Sequence, residues 1–484
     1  MSNENENENS LSCLLEVIPP HLCRPEQVAH WERAGEAFTY RLLRNPISLE
    51  ELNQHKFCMA IWRDNGTLTY VTPHCDRDRH DGPSRSFLTL KLREDGPFLR
   101  ITGSTDDAVA QTVAFFLSFE QPTEENPSVF IGYLNVGFDF REAGTHWIQR
   151  MFELRPSTSV HFKGLRFSLQ QSSVLASRSH QTGLLLIDCE LEDGGNAFLD
   201  ELVQRKSTFG SLTFNGSIPL NENNFRRLLQ IDTVGHLGLP INDLNDELVL
   251  LPFSTRAASL DSTMSSSKLL GADLSALIIA PKKLIITIEH EGGPIRYEPL
   301  LSLLHRIAEL GHFEELGVRL CYFNDFLQDN VVHAVIAAAL SNRNLKVLDL
   351  SSDYGDDAWC PHLGTLFEAL KDKENLDTLQ FSVDTSAFGP DFCDLLQFIS
   401  HNRNIIVTDA DGALYSDGAL VDAQYSLNRF YVGSKTLLTK LDLQLERPLL
   451  VATALVHSAL NDFQRNALLL SDYADVLYDF IRFA

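Results

Sequence analysis

The densest collection of chemically capable side chains is His74-Cys75-Asp76-Arg77-Asp78-Arg79-His80-Asp81, with imidazole, thiol and carboxylate in one short run. Zinc needs three or four such groups converging tetrahedrally, usually from a Cys or His pair at short fixed spacing. One Cys and two His six positions apart do not supply that spacing, and two Arg inside the run raise the local potential against a cation. The run reads as a solvated loop. A second cluster, Glu289-His290-Glu291-Gly292-Gly293, sets an imidazole between carboxylates, the arrangement that tunes a general base. No nucleophile has a defined place beside it, and the chain has no GxSxG, HExxH or GxxxxGK[ST] motif. No catalytic residue, metal ligand or cofactor is assigned, and a non-enzymatic protein is expected.

The 484 residues exceed one ordinary core, so several folding units or an elongated repeat array are expected. Apolar residues make up 44% and charged residues 22%, close to the composition of soluble globular proteins. The balance of 40 basic against 65 acidic residues leaves −25. That surface repels phosphate backbones and anionic membranes, so neither nucleic acid nor membrane is an expected partner. A basic protein partner suits the charge. No uninterrupted apolar run approaches the ~20 residues of a membrane span. The start, Asn3 to Asn9, alternates Asn with Glu and reads as a disordered acidic tail without signal-peptide character. With eight scattered cysteines and no CxxC pair, reduced thiols and an intracellular, cytoplasmic or nuclear location are expected.

The elements that would position any surface come from spacing. Leu345, Leu348 and Leu350 stand at positions 1, 4 and 6 of a short stretch, the strand signature of a leucine-rich repeat. Phe313, Leu316 and Val318 lie 32 residues earlier; Leu376, Leu379 and Phe381 lie 31 later. Each triplet is followed by apolar residues at helical offsets: Val332, Val335, Ile336 and Leu340; Leu363, Leu366, Phe367 and Leu370; Phe392, Leu395, Leu396 and Ile399. One such unit cannot bury its own apolar face, so units must stack, strands along the inner curve and helices outside. A period near 30 with a full helix resembles the ribonuclease-inhibitor type of leucine-rich repeat. That resemblance implies Asn or Cys at the ninth position, which falls on Cys321 and Asn242 and gives Cys321 a structural role.

Upstream triplets are Phe162, Leu165 and Phe167; Leu184, Ile187 and Cys189; Phe209, Leu212 and Phe214; and Val234, Leu237 and Leu239. Helices are expected at Phe198 to Val203, Phe225 to Leu229 and Leu244 to Leu248, and a further strand at Ile131. Residues 252 to 267 are Ser-rich and lose the register, as a degenerate repeat or a loop insertion would. Before the array, Val28, Trp31, Gly35, Phe38 and Leu42 trace a helix face. Hairpins are expected across Asn65-Gly66 and Asp95-Gly96-Pro97, then a helix through Val109, Val113 and Phe116 capped near Thr105. After the array, Leu427-Asn428-Arg429, Leu437-Leu438, Pro448-Leu449-Leu450 and Leu477 to Arg482 occur in that order. This resembles the tail of leucine-rich-repeat proteins of unicellular algae, except that Glu446-Arg447 stand where a Trp is common there.

The expected architecture is therefore α/β: an acidic tail (1–20), an α+β cap-like region (21–125), a leucine-rich-repeat solenoid (126–405) and a helical C-terminal cap (406–484). Positions 2, 3, 5 and 7 of each unit should face the concave side. They give Lys163, Arg166, Asp188, Glu190, Thr213 and His236, then Glu315, Arg319, Lys346, Asp349, Ser351, Asp377, Gln380 and Ser382. A rigid face of closely spaced side chains suits a protein-binding scaffold. An activator of a small GTPase is the alternative that the ribonuclease-inhibitor resemblance implies, although those activators carry a long acidic tail and this chain ends Phe480-Ile481-Arg482-Phe483-Ala484.

Overall fold

A computed structural model describes residues 14–22, 39–53, 59–72, 87–92, 96–119, 128–132, 138–154, 156, 158–178, 180–242, 244–289, 297–321, 327–352 and 357–439. The Asn3 to Asn9 tail, Val28 to Phe38 of the expected helix, the His74 to Asp81 cluster, His290 to Gly293 and the motifs beyond Thr439 lie outside these residues; Leu42, the last residue of that expected helix face, is instead in a strand. The fold is α/β with mostly parallel strand pairs, in two compact units, Met1–Asp261 and Ser262–Ala484.

The first unit begins with mainly antiparallel pairs. Strand β1 (Leu15–Ile18) pairs antiparallel with β2 (Thr39–Leu42), which runs parallel to β3 (Met59–Trp62); β3 turns back into β4 (Leu68–Thr72). The turn is the expected Asn65-Gly66, with Gly66 at φ +84°, where an L side chain is disfavoured. Asn65 Nδ2 donates to Ala108 O at 3.1 Å and to Thr112 Oγ1 at 3.0 Å, tying this turn to helix α1 (Asp106–Leu117). Thr105 caps that helix by accepting from Ala108 N at 3.2 Å. The antiparallel pairs continue from β4 to β6 (Phe98–Thr102), from β6 to β5 (Leu88–Lys91) and from β5 to β7 (Ser128–Gly132). Strand β7 then runs parallel to β9 (Ser159–Lys163), so hairpins and repeating strands share one ladder.

From there helices alternate with parallel strands: α2 (His146–Leu154), β9, α3 (Leu169–Ser177), β11 (Thr182–Ile187), α4 (Asn196–Gln204), β13 (Gly210–Asn215), α5 (Glu222–Leu228) and β14 (Val234–Pro240). Val160, Leu184, Leu212 and Leu237 form one buried cross-strand row; Phe162, Leu186 and Phe214 form the next. Each inward Leu or Phe contributes roughly 2 kcal/mol by burial. The expected triplet Leu184, Ile187 and Cys189 is corrected here, because Leu186 is buried and Ile187 is only half-buried. The run Leu184 to Ile187 is apolar at every position and carries no alternation. Pairing of Leu184 with Leu212 sets its phase. Beyond β7, β9 and β11 the chain enters a second parallel sheet of β8 (Phe138–Asp139), β10 (Leu165–Phe167) and β12 (Glu190–Leu191).

Two further differences have local causes. Helix α3 follows a capping box whose sequence signature is Ser168-x-x-Gln171, with Gln171 N donating to Ser168 Oγ at 3.4 Å and Ser168 N to Gln171 Oε1 at 2.9 Å. No helix forms over Leu244 to Leu248. Asn245 Oδ1 takes the Leu248 amide at 3.1 Å, and a 3-10 turn with Pro252 follows at Leu251–Ser254. The Ser-rich stretch holds strand β15 (Ser259–Ser265), with Leu260 and Met264 buried.

The second unit follows its expected spacing closely: β16 (Lys283–Glu289), α6 (Glu298–Leu310), β17 (Glu315–Cys321), α7 (Asp329–Ser341), β18 (Val347–Leu350), α8 (Leu363–Leu370), β19 (Thr378–Phe381), α9 (Cys393–His401), β20 (Ile406–Thr408) and α10 (Leu420–Thr439). The pairs from β16 through β20 are parallel, and Leu284, Leu316, Leu348, Leu379 and Val407 form one buried row. Leu340, read as part of a helix's inner face, is 45% exposed; Val331, Ala338 and Ala339 fill that side instead. At β20 the Tyr425 hydroxyl, from α10, accepts from Val407 N at 3.3 Å, while Asn428 Nδ2 donates to Ile399 O at 2.7 Å. The Asn of the Leu427-Asn428-Arg429 motif thereby joins α10 to α9.

Candidate functional site

Three of the expected face residues lie off the main sheet. Arg166 on β10 and Glu190 on β12 pair across the small second sheet at 2.9 Å. Beside them Arg141 holds Asp139 at 2.6 Å and lies 3.7 Å from Glu192. The hydrogen bond from Arg141 keeps the Asp139 carboxyl below its usual range, but these charges are exposed and contribute little to stability. Asp188 sits in the turn between β11 and β12 at φ +47°, its Oδ1 accepting from Ser217 N at 3.1 Å. Once the strand phase is corrected, positions 183, 185 and 187 face outward in its place.

On the outward side of the first unit's sheet, Phe130, His161, Leu185, Thr213 and Gly238 lie in one cross-strand row. Gly132, Lys163, Ile187 and Asn215 form the next, and Ser128, Ser159, Gly183, Ser211 and His236 the row on the other side. Thr213 and His236 are thus on the expected face, joined by side chains that spacing alone assigned to core or ignored. Two glycines flatten it. A Cβ at Gly132 would stand 2.5 Å from Phe130 Cζ, and one at Gly238 would stand 2.6 Å from Thr213 Cγ2. His236 Nδ1 lies 3.1 Å from Ser259 Oγ, and burial pushes the imidazole down while Asp261 opposes that shift.

The outward face of the second unit is built from pairs. Lys283 bonds Glu315. Arg319 donates twice to Asp349 Oδ2, at 2.9 and 2.6 Å, while Asp349 Oδ1 accepts from Ser351 N at 2.9 Å and Ser351 Oγ at 2.6 Å. Asp349 is 5% exposed and Ser351 1%. Gln380 donates to Asp409 O and Ala410 O at 2.9 and 2.8 Å, fastening the loop after β20. Lys346 and Asp377 are exposed just before β18 and β19, and their backbones join adjacent repeats, Asp377 N donating to Lys346 O at 2.8 Å. Ser382 Oγ donates to Ser352 O at 3.1 Å.

Compared with known proteins, the chain matches no protein-family model and no curated protein. The arrangement itself must therefore carry the functional reading. Among the described residues no three His, Cys, Asp or Glu side chains cluster to hold a metal, and no helix is long and apolar enough to cross a membrane. Cys321 is buried and accepts from Ser352 Oγ at 3.8 Å; burial pushes the Cys189 thiol up to about 12, far from nucleophilic use. A groove of about 390 Å³ between α8 and α9 has stacked Phe367 and Phe398 (4.4 Å) as its floor. Its rim cation Lys371 is already bonded to Glu368.

Proposed function

We propose that the chain is a ribonuclease-inhibitor-like leucine-rich-repeat solenoid and a non-enzymatic scaffold that docks a protein partner on the outward face of its parallel strands. The observation that supports this reading is the in-register ladder of parallel strands, in which β9, β11, β13 and β14, and again β16 to β20, are joined in turn through helices. One side of the ladder is buried, and the other presents rigid, partly exposed side chains at strand spacing. Such a face loses little side-chain freedom on binding. The test is affinity capture with the full chain, mass spectrometry of the retained protein, and comparison of variants. Lys163→Glu, Thr213→Arg and Lys346→Glu probe the face, and Arg226→Glu on α5 is the control. A partner lost with at least one face variant and kept with the control supports the reading. A partner held equally by every variant overturns it.

A further inference from the structure

We infer that the outward face of β7, β9, β11, β13 and β14 takes an acidic, apolar peptide segment of another protein, opposite in sign to the partner suggested by the chain's net charge. The inference rests on the scaffold reading above and specifies the partner's chemistry. In a chain with 65 acidic residues, no Asp or Glu occupies an outward position of these five strands. The outward side chains with chemistry to offer are Phe130, His161, Lys163, Leu185, Thr213 and His236; the remaining positions are Ser, Gly, Ile, Asn and Pro.

The charge on this face is available. Lys163 has no ion pair or hydrogen bond among the described residues, and it lies beside Ile187 and Gly132 in its row. Among the described residues, two flanking carboxylates lie off these strands. Asp188 occupies the turn after β11 and accepts from Ser217 N, and Asp261 lies on β15. In the second unit, by contrast, Glu315 and Asp349 answer Lys283 and Arg319 on the sheet itself. A cation without a counter-charge beside half-buried Phe130, Leu185 and Ile187 matches a segment alternating carboxylate and apolar side chains. Its apolar groups would cover the rows at Phe130 and Leu185, and a carboxylate would meet Lys163. A basic segment would meet an unanswered ammonium instead and gain nothing from these strands.

The experiment selects a phage-displayed random octapeptide library on the full chain, then measures fluorescein-labelled selected peptides by anisotropy against wild type and variants. The expected peptides carry more Asp and Glu than Lys and Arg among apolar residues. Their affinity should fall at least about fivefold in Lys163→Glu and less in Lys163→Met, and should be unchanged in the Arg226→Glu control. Circular dichroism checks each variant's fold, and Lys163→Met carries the test should Lys163→Glu unfold. Basic or charge-indifferent peptides, no enrichment, or binding insensitive to both Lys163 variants overturn the inference. Peptides lost with Lys346→Glu or Arg319→Glu but not with the Lys163 variants would move docking to the second unit, overturning this inference and leaving the scaffold reading standing. Peptides indifferent to every face variant would overturn both.

Discussion

The two units meet the same structural demand with different side chains. Where each helix gives way to the next strand, carbonyls at the helix end and at the strand start call for hydrogen-bond donors. In the first unit Arg178, just after α3 and 5% exposed, donates to Gly183 O at 3.3 Å, to Phe209 O at 3.1 Å and to Thr182 O, with its guanidinium 4.0 Å from the Phe209 ring centre. One repeat on, Arg205 follows α4 and reaches Ala176 O at 3.2 Å, Thr208 O at 3.2 Å and Ser207 O at 2.9 Å. Burial, and then the charge of Arg205, pull Arg178 down to about 9. The second unit uses neutral amides. Asn342 Nδ2 donates to Ala338 O at 2.7 Å while Oδ1 accepts from Phe313 N at 2.9 Å, and Asn402 Nδ2 reaches Lys373 O at 3.1 Å. The geometry asks for donors at a place, and the residue type is free to vary. An Arg satisfies more carbonyls but loses its hydration; an Asn satisfies fewer and serves as donor and acceptor together.

The outward faces differ in the same spirit. Arg319, Asp349 and Ser351 form a closed network in the second unit, whereas Lys163 in the first has no such partner among the described residues. Side chains that satisfy one another stiffen a sheet and have less left for a ligand. The docking inference therefore falls on the first unit.

This comparison can be broken most directly at the helix ends. Arg178→Met should orphan carbonyls around Phe209 and cost about 3 kcal/mol in chemical unfolding. A stabilised variant would mean that the buried charge outweighs its bonds. Asn342→Leu should cost about 2 kcal/mol, with hydrogen exchange accelerating at the Phe313 amide in particular. Unchanged exchange there would remove Asn342 as the joint. On the faces, Arg319→Met should cost about 1–2 kcal/mol by stranding the Asp349 carboxylate, whereas Lys163→Met should stay within about 0.5 kcal/mol. Equal losses would erase the distinction between locked and free faces.

The smallest effect concerns His236, whose pKa burial holds below its usual 6.5. The unfolded chain then takes up the proton first as pH falls, so this group leaves stability unaffected above about pH 7 and lowers it through the window below 6.5. Melting temperatures from pH 7.5 to 5 should drop less for His236→Gln than for wild type. Parallel curves would exclude His236 from the acid response.

Much of this was legible in the chain itself. In the second unit the inward triplets stand in polar surroundings at a steady period, so Leu316, Leu348 and Leu379 declare both strand and phase. The Asn65-Gly66 hairpin and the Thr105 cap are equally local, since each depends on residues a few positions apart. Helix α3 was missed because its Gln-Ser-Ser surface lacks an apolar stripe; the capping box Ser168-x-x-Gln171 is the signal that could have found it. Leu184 to Ile187 was not legible, because four consecutive apolar residues fit either phase until a neighbouring strand selects one.

Sequence alone thus determined the alternation of strands and helices, the acidic balance and the list of charged side chains near the sheet. Tertiary structure decided which of those charges are spoken for. Arg319 and Asp349 are 30 residues apart in the chain and 2.6 Å apart in space, and Arg166 was drawn off to a second sheet with Glu190. Neutralisation between charges depends on cross-strand neighbours brought together by stacking. Local spacing carries no record of them, and so the open cation at Lys163 became visible only in the fold.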